Sequence, residues 1–183
     1  MILHRCFAYN SRARLTEPDG ALWFPREYQG EGRHDNPDVY GCLYLTDREP
    51  SAVVEQLARF RGQRLVPEML MRRMLPLAVA AIELPDEEAL VDLDDPGVLT
   101  REALRPSRVA TRERRVTQPQ ALALYHTHPT SAGLTWWSVY ESLWTNATLF
   151  DRVAPRLRLV DIRVLAVDDA AVTEAAEALG IAP

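Results

Sequence analysis

The sequence predicts a single α+β domain over residues 1–183, in which a mixed sheet is flanked by helices. Strand-like and helix-like segments follow one another without the repeated βαβ units that a doubly wound parallel sheet requires. A chain of this length buries about two-thirds of its unfolded surface, so folding depends on no disulfide or metal. The composition, 47% hydrophobic and 26% charged, is typical of a globular protein, and no stretch indicates a linker.

Six segments carry the pattern of β-strands. They are rich in β-branched and aromatic side chains and are bounded by turn-forming residues. The predicted strands cover residues 3–8, 39–45, 77–84, 133–137, 145–150 and 157–167. Residues 10–38, between the first two, are polar and have no clear period. Loops of that length in compact domains are usually lids or binding loops, so we expect this one to be functional.

Helix starts and ends are marked by local capping signals. Glu49-Pro50-Ser51 and Asp95-Pro96-Gly97 each supply a helix start with proline in the first turn. Gly180 is suited to end the last helix, because glycine accepts the left-handed conformation that such ends require. The predicted helices cover residues 50–60, 67–74, 116–125 and 168–179, with a further helical turn from Asp95.

Charge and residue usage exclude several classes of function. The net charge of −5 argues against direct nucleic-acid binding, because a duplex binder normally carries a basic face. All 21 basic residues are arginine, so enzymes that need a lysine amine, such as P-loop or pyridoxal phosphate enzymes, are excluded. Cys6 and Cys42 fall in predicted strands and indicate buried, reduced thiols. With no signal peptide and no apolar run of membrane-spanning length, we expect a cytoplasmic protein without a membrane partner.

Three polar residues are candidates for a functional site. Arg33 lies in the turn Gly30-Glu31-Gly32-Arg33-His34-Asp35-Asn36-Pro37, where glycine permits close approach of a ligand and the guanidinium suits phosphate oxygens. Glu55 lies on the polar side of the helix that follows the second strand, which predicts an exposed carboxylate. Ser138 follows Trp136-Trp137 without the G-x-S-x-G context of a hydrolase nucleophile. Each motif is weak on its own.

The order of these residues resembles the RES-domain family from about residue 3 to residue 179. In that family an arginine-bearing turn, a strand and a glutamate-bearing helix occur in the order seen here for Arg33 and Glu55, and a glycine-led strand ends at a serine. Arg5 in the first strand matches a further recurrent arginine. The segments that carry the resemblance are residues 32–37, Tyr40, residues 43–46, Pro50, Ala52, Glu55, residues 133–138 and residues 145–150.

The resemblance implies an ADP-ribosyltransferase-like fold and degradation of NAD+ at the bond between nicotinamide and ribose. Arg33, Glu55 and Ser138 would then be the catalytic residues. NAD+ is the substrate, so no resident cofactor and no metal are expected, and inorganic phosphate, water or a protein side chain is the acceptor. The residues implied to bind NAD+ are Arg5, His34, Tyr40, Tyr44 and Trp137. The resemblance further implies that the protein is the toxin of a type II toxin–antitoxin pair, inhibited by an Xre-type helix-turn-helix antitoxin, and a homo-oligomer is also compatible with the sequence.

Two positions depart from the family pattern. His34 stands where an aromatic residue is common, and Val139 follows Ser138 where a basic residue is common. These departures leave open a RES-like fold that binds a ligand without turnover. A further alternative is a zinc metallopeptidase of the JAMM type, because His126 and His128, followed by Ser138 and Glu141, resemble its H-x-H-P, serine and acidic ligands.

Overall fold

An eight-stranded sheet forms the centre of the protein, which we describe over residues 1–182 from a computed structural model. The strands run in the spatial order β3-β4-β1-β2-β7-β6-β5, and β8 pairs with β4 beside β3. Neighbouring strands are antiparallel except β5 and β6, which are parallel. The strands are β1 (Ile2–Ala8), β2 (Cys42–Thr46), β3 (Met71–Arg72), β4 (Leu75–Glu83), β5 (Leu90–Asp92), β6 (Gly133–Trp137), β7 (Thr145–Phe150) and β8 (Arg158–Val164).

Five α-helices flank the sheet, which confirms the predicted α+β class. Side-chain caps start two of them: Asp95 Oδ1 accepts a hydrogen bond from the amide of Gly97, and Asp169 accepts one from Ala171. Gly180, with a φ of 65°, ends the last helix as predicted. The helices are α1 (Glu49–Leu57), α2 (Pro96–Arg101), α3 (Pro106–Ala110), α4 (Arg114–Thr127) and α5 (Ala170–Leu179), and short 3-10 helices cover Arg26–Tyr28, Ala58–Phe60, Pro67–Leu70 and Asp151–Arg156.

The two faces of the sheet are covered differently. On one face, which we call the front face, α1 and α5 pack over β1 and β4 around Cys6 and Val79. At the other end of the same face, α2, α3 and α4 pack over β5 and β6 around Leu134. The back face carries a continuous apolar cluster that includes Leu43 and Leu45 of β2. The middle of the front face is therefore left open between two groups of helices.

Two of the differences from the sequence prediction concern short elements. Strand β5 was not predicted, because its three residues carry too short a pattern to detect. The helix predicted over residues 67–74 is wrong: a 3-10 helix at Pro67–Leu70 leads into β3, and Arg73 and Met74 take positive φ values in the turn to β4. Residues 10–38 form turns and one 3-10 helix, in agreement with the predicted loop.

None of the helices in residues 1–182 has the length and apolar character to cross a bilayer.

Candidate active site

A cleft of about 730 Å³ opens on the front face where the sheet parts between β1 and β2. These two strands are in register at a single pair, His4 with Thr46, and diverge beyond it. Residues 5–8 of β1 and residues 42–45 of β2 line the cleft along this divergence. The volume is within the range of sites that hold small molecules and cofactors. The topology therefore provides a binding site in the middle of the sheet.

The turn that carries Arg33 is held rigidly at the edge of the cleft by Asp35. One carboxylate oxygen of Asp35 accepts hydrogen bonds from the amides of Gly30 at 2.8 Å and Gly32 at 2.6 Å. The other accepts one from the Tyr44 hydroxyl at 2.7 Å, and that hydroxyl accepts one from the amide of His34. A Cβ at Gly32 would lie 2.4 Å from the Tyr44 hydroxyl, so only glycine fits there. Tyr44, predicted to border the ligand, both lines the cleft and positions this turn.

The Arg33 side chain reaches from this turn to the segment between α3 and α4. Its Nη1 donates to the carbonyl oxygens of Val109 at 2.7 Å and Thr111 at 2.6 Å. Burial lowers the pKa of Arg33, and nearby Glu55 opposes that shift. Because a guanidinium stays charged in proteins, Arg33 presents a fixed cation to the cleft. The two carbonyls orient it before any ligand arrives.

Glu55 enters the same cleft from α1. Its side chain is accessible to solvent, as the helical pattern predicts, but the solvent it faces is inside the cleft. Surrounding protein atoms raise the pKa of Glu55 by desolvation, while the positive charges of Arg33 and Arg112 lower it. Helical periodicity could not distinguish this position from an ordinary exposed surface. The structure thus brings Arg33 and Glu55 together, although they are distant in sequence.

Arg112 and Tyr140 also line the cleft near Glu55 and were not predicted. The Arg112 guanidinium lies 5.8 Å from the centre of the Tyr140 ring, and both residues line the cleft. Burial raises the pKa of Tyr140, and the negative charge of Glu55 raises it further. Both residues come from connecting segments, and an arginine in a polar loop carries no sequence signal that separates it from other surface arginines. Only the folded chain assigns them to the site.

Arg5 borders the cleft, but protein groups already occupy part of its guanidinium. Its Nη1 donates to the carbonyl oxygens of Gly20 at 3.0 Å and Ala21 at 2.7 Å, both in the long loop after β1. The guanidinium also lies 4.7 Å from the centre of the Phe7 ring. Burial lowers the pKa of Arg5 to about 10, which leaves it cationic at neutral pH. Arg5 therefore fixes the long loop against β1 as well as lining the cleft.

His34 and Tyr40 lie behind the Arg33 turn and do not contribute to the cleft lining. The His34 ring is buried, hydrogen bonds through Nδ1 with the Thr148 hydroxyl at 2.8 Å and packs edge-on against Trp136. Burial and the charge of Arg33 lower the pKa of His34 to about 3, so the ring is neutral at pH 7. Tyr40 is fully buried and donates to the carbonyl of His34 at 2.9 Å. In this arrangement both support the turn from inside the core.

Ser138 and Trp137 sit at the end of β6, beside the cleft. The Ser138 side chain is buried, and its hydroxyl accepts a hydrogen bond from the amide of Tyr140 at 3.2 Å. The next residue, Val139, lines the cleft, whereas Ser138 and Trp137 do not. The cleft lining therefore includes only two of the three residues predicted to be catalytic. Arg33 and Glu55 face the cleft, and Ser138 shapes the loop that carries Tyr140.

The histidines of the metallopeptidase alternative do not form a metal site. His126 lies on α4 and is exposed, while His128 Nε2 is 3.0 Å from Glu102 Oε1. His128 follows the last residue of α4, and its ring is engaged by the Glu102 carboxylate rather than directed to His126. Within residues 1–182 no three His, Cys, Asp or Glu side chains are grouped closely enough to hold a metal ion. The geometry gives no support to the zinc alternative.

Two comparisons with known proteins identify the family and the fold. Residues 2–173 match the RES domain. The chain belongs to the RES-domain family. A solved structure with a similar fold is described as the toxin–antitoxin complex MbcT–MbcA of M. tuberculosis. It superposes with a TM-score of 0.64 and 17% sequence identity, over 98% of this chain and 88% of that one.

The structural likeness confirms the ADP-ribosyltransferase-like fold class predicted for this RES domain. At 17% identity it establishes the fold alone. The comparison with curated protein sequences found no match to the chain. The chemistry of this RES domain must therefore be inferred from its own cleft.

Proposed function

We propose that this RES domain cleaves NAD+ at the bond between nicotinamide and ribose and transfers the ADP-ribosyl group to phosphate or water. The observation that carries the proposal is the pairing of an oriented guanidinium, Arg33, with a carboxylate, Glu55, in one cleft of dinucleotide size. Arginines bind the pyrophosphate and a carboxylate stabilises a cationic sugar. The cleft therefore offers one group for the anionic part of NAD+ and one for the reacting ribose. NAD+ is consumed as a substrate, and no resident cofactor is required.

The bond cleavage needs little acid catalysis, because the nicotinamide of NAD+ is already a cationic leaving group. As the C1′–N bond breaks, its electron pair goes to the nicotinamide, which leaves neutral, and positive charge develops on the ribose. This resembles the oxocarbenium-like transition state of glycoside hydrolysis. Glu55 would stabilise that charge with a carboxylate fixed in advance, which is where electrostatic catalysis is most effective. An oxygen of phosphate or water then bonds to C1′, and the attacking water releases its proton.

The anionic part of NAD+ has several arginines available. Arg33 and Arg112 lie near Glu55, and Arg72 lines the other side of the cleft, where it donates to Gln56 Oε1 at 2.9 Å. These positive charges concentrate in the cleft although the chain as a whole carries −5. Charge-assisted hydrogen bonds from guanidinium groups hold phosphate oxygens more firmly than neutral donors do. Inorganic phosphate, as the acceptor, can bind to the same arginines.

We further propose that the protein is a cytoplasmic toxin whose cleft an antitoxin blocks. The support is the similarity to a structure described as a toxin–antitoxin complex. A helix-turn-helix antitoxin of the Xre type would supply the DNA contacts that this acidic chain lacks. The cytoplasm supplies NAD+ and keeps the buried thiols of Cys6 and Cys42 reduced.

The proposal is tested by incubating the purified full chain with NAD+, with and without inorganic phosphate, and separating the products by chromatography. We expect nicotinamide to be released together with ADP-ribose, or with its 1″-phosphate when phosphate is the acceptor. A rate that rises with phosphate identifies phosphorolysis, and a rate independent of phosphate identifies hydrolysis. Intact NAD+ at high protein concentration would reject the enzymatic proposal and favour a binding module.

A further inference from the structure

Asn146 lines the cleft from β7 with a carboxamide that makes no hydrogen bond to the described part of the chain, residues 1–182. The residue is only 6% exposed, and its Oδ1 is buried without a hydrogen-bond partner among the described residues. Its Nδ2 likewise makes no hydrogen bond to any residue between 1 and 182. Buried polar groups in folded proteins are nearly always paired, and an exception beside a cleft indicates a partner that arrives from outside the chain.

The residues beside Asn146 in the sheet do not supply the missing hydrogen bonds. Register across the sheet places His4, Thr46, Asn146 and Trp136 in one row on the front face. The Thr46 hydroxyl is used elsewhere, since it donates to the carbonyl of Arg48 at 2.6 Å. His4 Nδ1 is also buried, lies 3.9 Å from the Glu49 carboxylate and makes no hydrogen bond within residues 1–182. The row thus offers unused hydrogen-bonding groups next to Trp136, which lines the cleft too.

We propose that Asn146 binds the carboxamide of the nicotinamide ring and selects substrates that carry an amide, rather than a carboxylate, at that position. The inference rests on the proposed cleavage of NAD+. An aromatic ring placed against Trp136 brings its substituent to Asn146, the next residue in the row. Because no hydrogen bond from residues 1–182 anchors the Asn146 side chain, a rotation about its own bonds can present either end of the carboxamide to the ligand.

The selection follows from matching donors and acceptors. Two carboxamides satisfy each other, because each has one N–H donor and one oxygen acceptor facing the other. A carboxylate offers only acceptors, so its second oxygen would face Asn146 Oδ1 and leave both unpaired. Sites built to hydrogen-bond one substrate group discriminate strongly against an analogue that cannot complete the pair. Asn146 would therefore act on substrate choice and binding more than on the bond-breaking step.

The test compares NAD+ with nicotinic acid adenine dinucleotide as substrates for the wild-type chain and for Asn146→Ala. We expect the wild type to prefer NAD+, measured as the ratio of kcat/KM values, and Asn146→Ala to lose roughly tenfold or more of that preference. Calorimetric titration supplies a second measurement without turnover. Asn146→Ala should weaken nicotinamide binding about tenfold and leave nicotinate binding nearly unchanged.

Asn36→Ala is the matched control, since Asn36 is a half-buried asparagine outside the cleft lining whose Nδ2 is fully used by protein groups. It should lower the thermal midpoint while preserving the preference for NAD+. An unchanged preference in Asn146→Ala, or an equal loss for both dinucleotides, overturns the assignment of Asn146. A wild-type chain that leaves NAD+ intact and still binds nicotinamide through Asn146 would reject the proposed reaction alone.

Discussion

Strand β1 meets its two neighbours in opposite ways. Against β4 it stays in register along its whole length, from Ile2 with Glu83 to Ala8 with Leu77. Against β2 it is in register only at His4 with Thr46. The β4 side is an uninterrupted part of the scaffold, whereas the β2 side opens into the cleft. One strand therefore separates the part of the sheet that stabilises the fold from the part that can bind a ligand.

If the open side of β1 carries the chemistry, the largest effect is expected at Glu55. Glu55→Gln keeps the size of the side chain and removes the charge that stabilises the developing cation. NAD+ cleavage should fall roughly a hundredfold or more, with an unchanged thermal midpoint. Glu31→Gln is the matched control, because Glu31 also lines the cleft but is exposed and paired with Arg114. Equal losses in the two variants would contradict a specific role for Glu55.

The pH dependence of NAD+ cleavage should reflect the ionisation of the Glu55 carboxylate. Burial raises the pKa of Glu55 above its ordinary value of 4.5, so the ionised form is lost, and cleavage with it, as the pH falls through that raised pKa. Arg112→Gln removes a charge that lowers this pKa, so the acid limb of kcat/KM should move to higher pH. The profile of a variant at the exposed Arg158 should match the wild type. A downward movement in Arg112→Gln would refute the assignment.

Arg33→Lys tests whether the geometry of the guanidinium matters beyond its charge. A lysine amine cannot donate to the carbonyls of Val109 and Thr111 and also present two further nitrogens to a phosphate. The KM for NAD+ should rise roughly tenfold, with a smaller change in kcat. Steady-state kinetics provide the measurement. A normal KM would show that positive charge alone is sufficient at this position.

On the closed side of β1, a core substitution should change stability and leave chemistry unaffected. Ile82 is fully buried on β4 and in register with Leu3. Ile82→Val removes one methylene group and should reduce the free energy of unfolding by about 1 kcal/mol, measured by denaturant titration. NAD+ cleavage per folded molecule should be unchanged. A marked loss of turnover would mean that the two sides of β1 are coupled more closely than their pairing indicates.

Elements with a long sequence pattern were predicted correctly, whereas short elements were missed or misassigned. Strand β6 has the bounds that its pattern predicts, and α5 ends at the predicted Gly180. Strand β5 was missed because three residues cannot establish a period, and it is placed by parallel pairing with β6. The turn at Arg73 and Met74 was mistaken for helix, since tertiary pairing of β3 with β4 overrides local preference there.

The site was predictable only where the order of residues was informative. Arg33 and Glu55 were selected through a family resemblance, since each alone looks like a surface residue. Arg112 and Asn146 could not be found, because their significance depends on which distant segments the sheet brings beside them. Tyr40 was expected at the ligand, yet its ring lies in the core, and a sequence pattern cannot show on which side of a turn an aromatic residue packs.

The Asp35 carboxylate fixes the Arg33 turn by accepting hydrogen bonds from two backbone amides and the Tyr44 hydroxyl. A loop fixed by so many internal bonds loses little conformational entropy when a ligand arrives. Substrate capture would then proceed without an ordering step, and its heat-capacity change would reflect surface burial alone. Little of the substrate's binding energy would be used to assemble the site, which favours affinity.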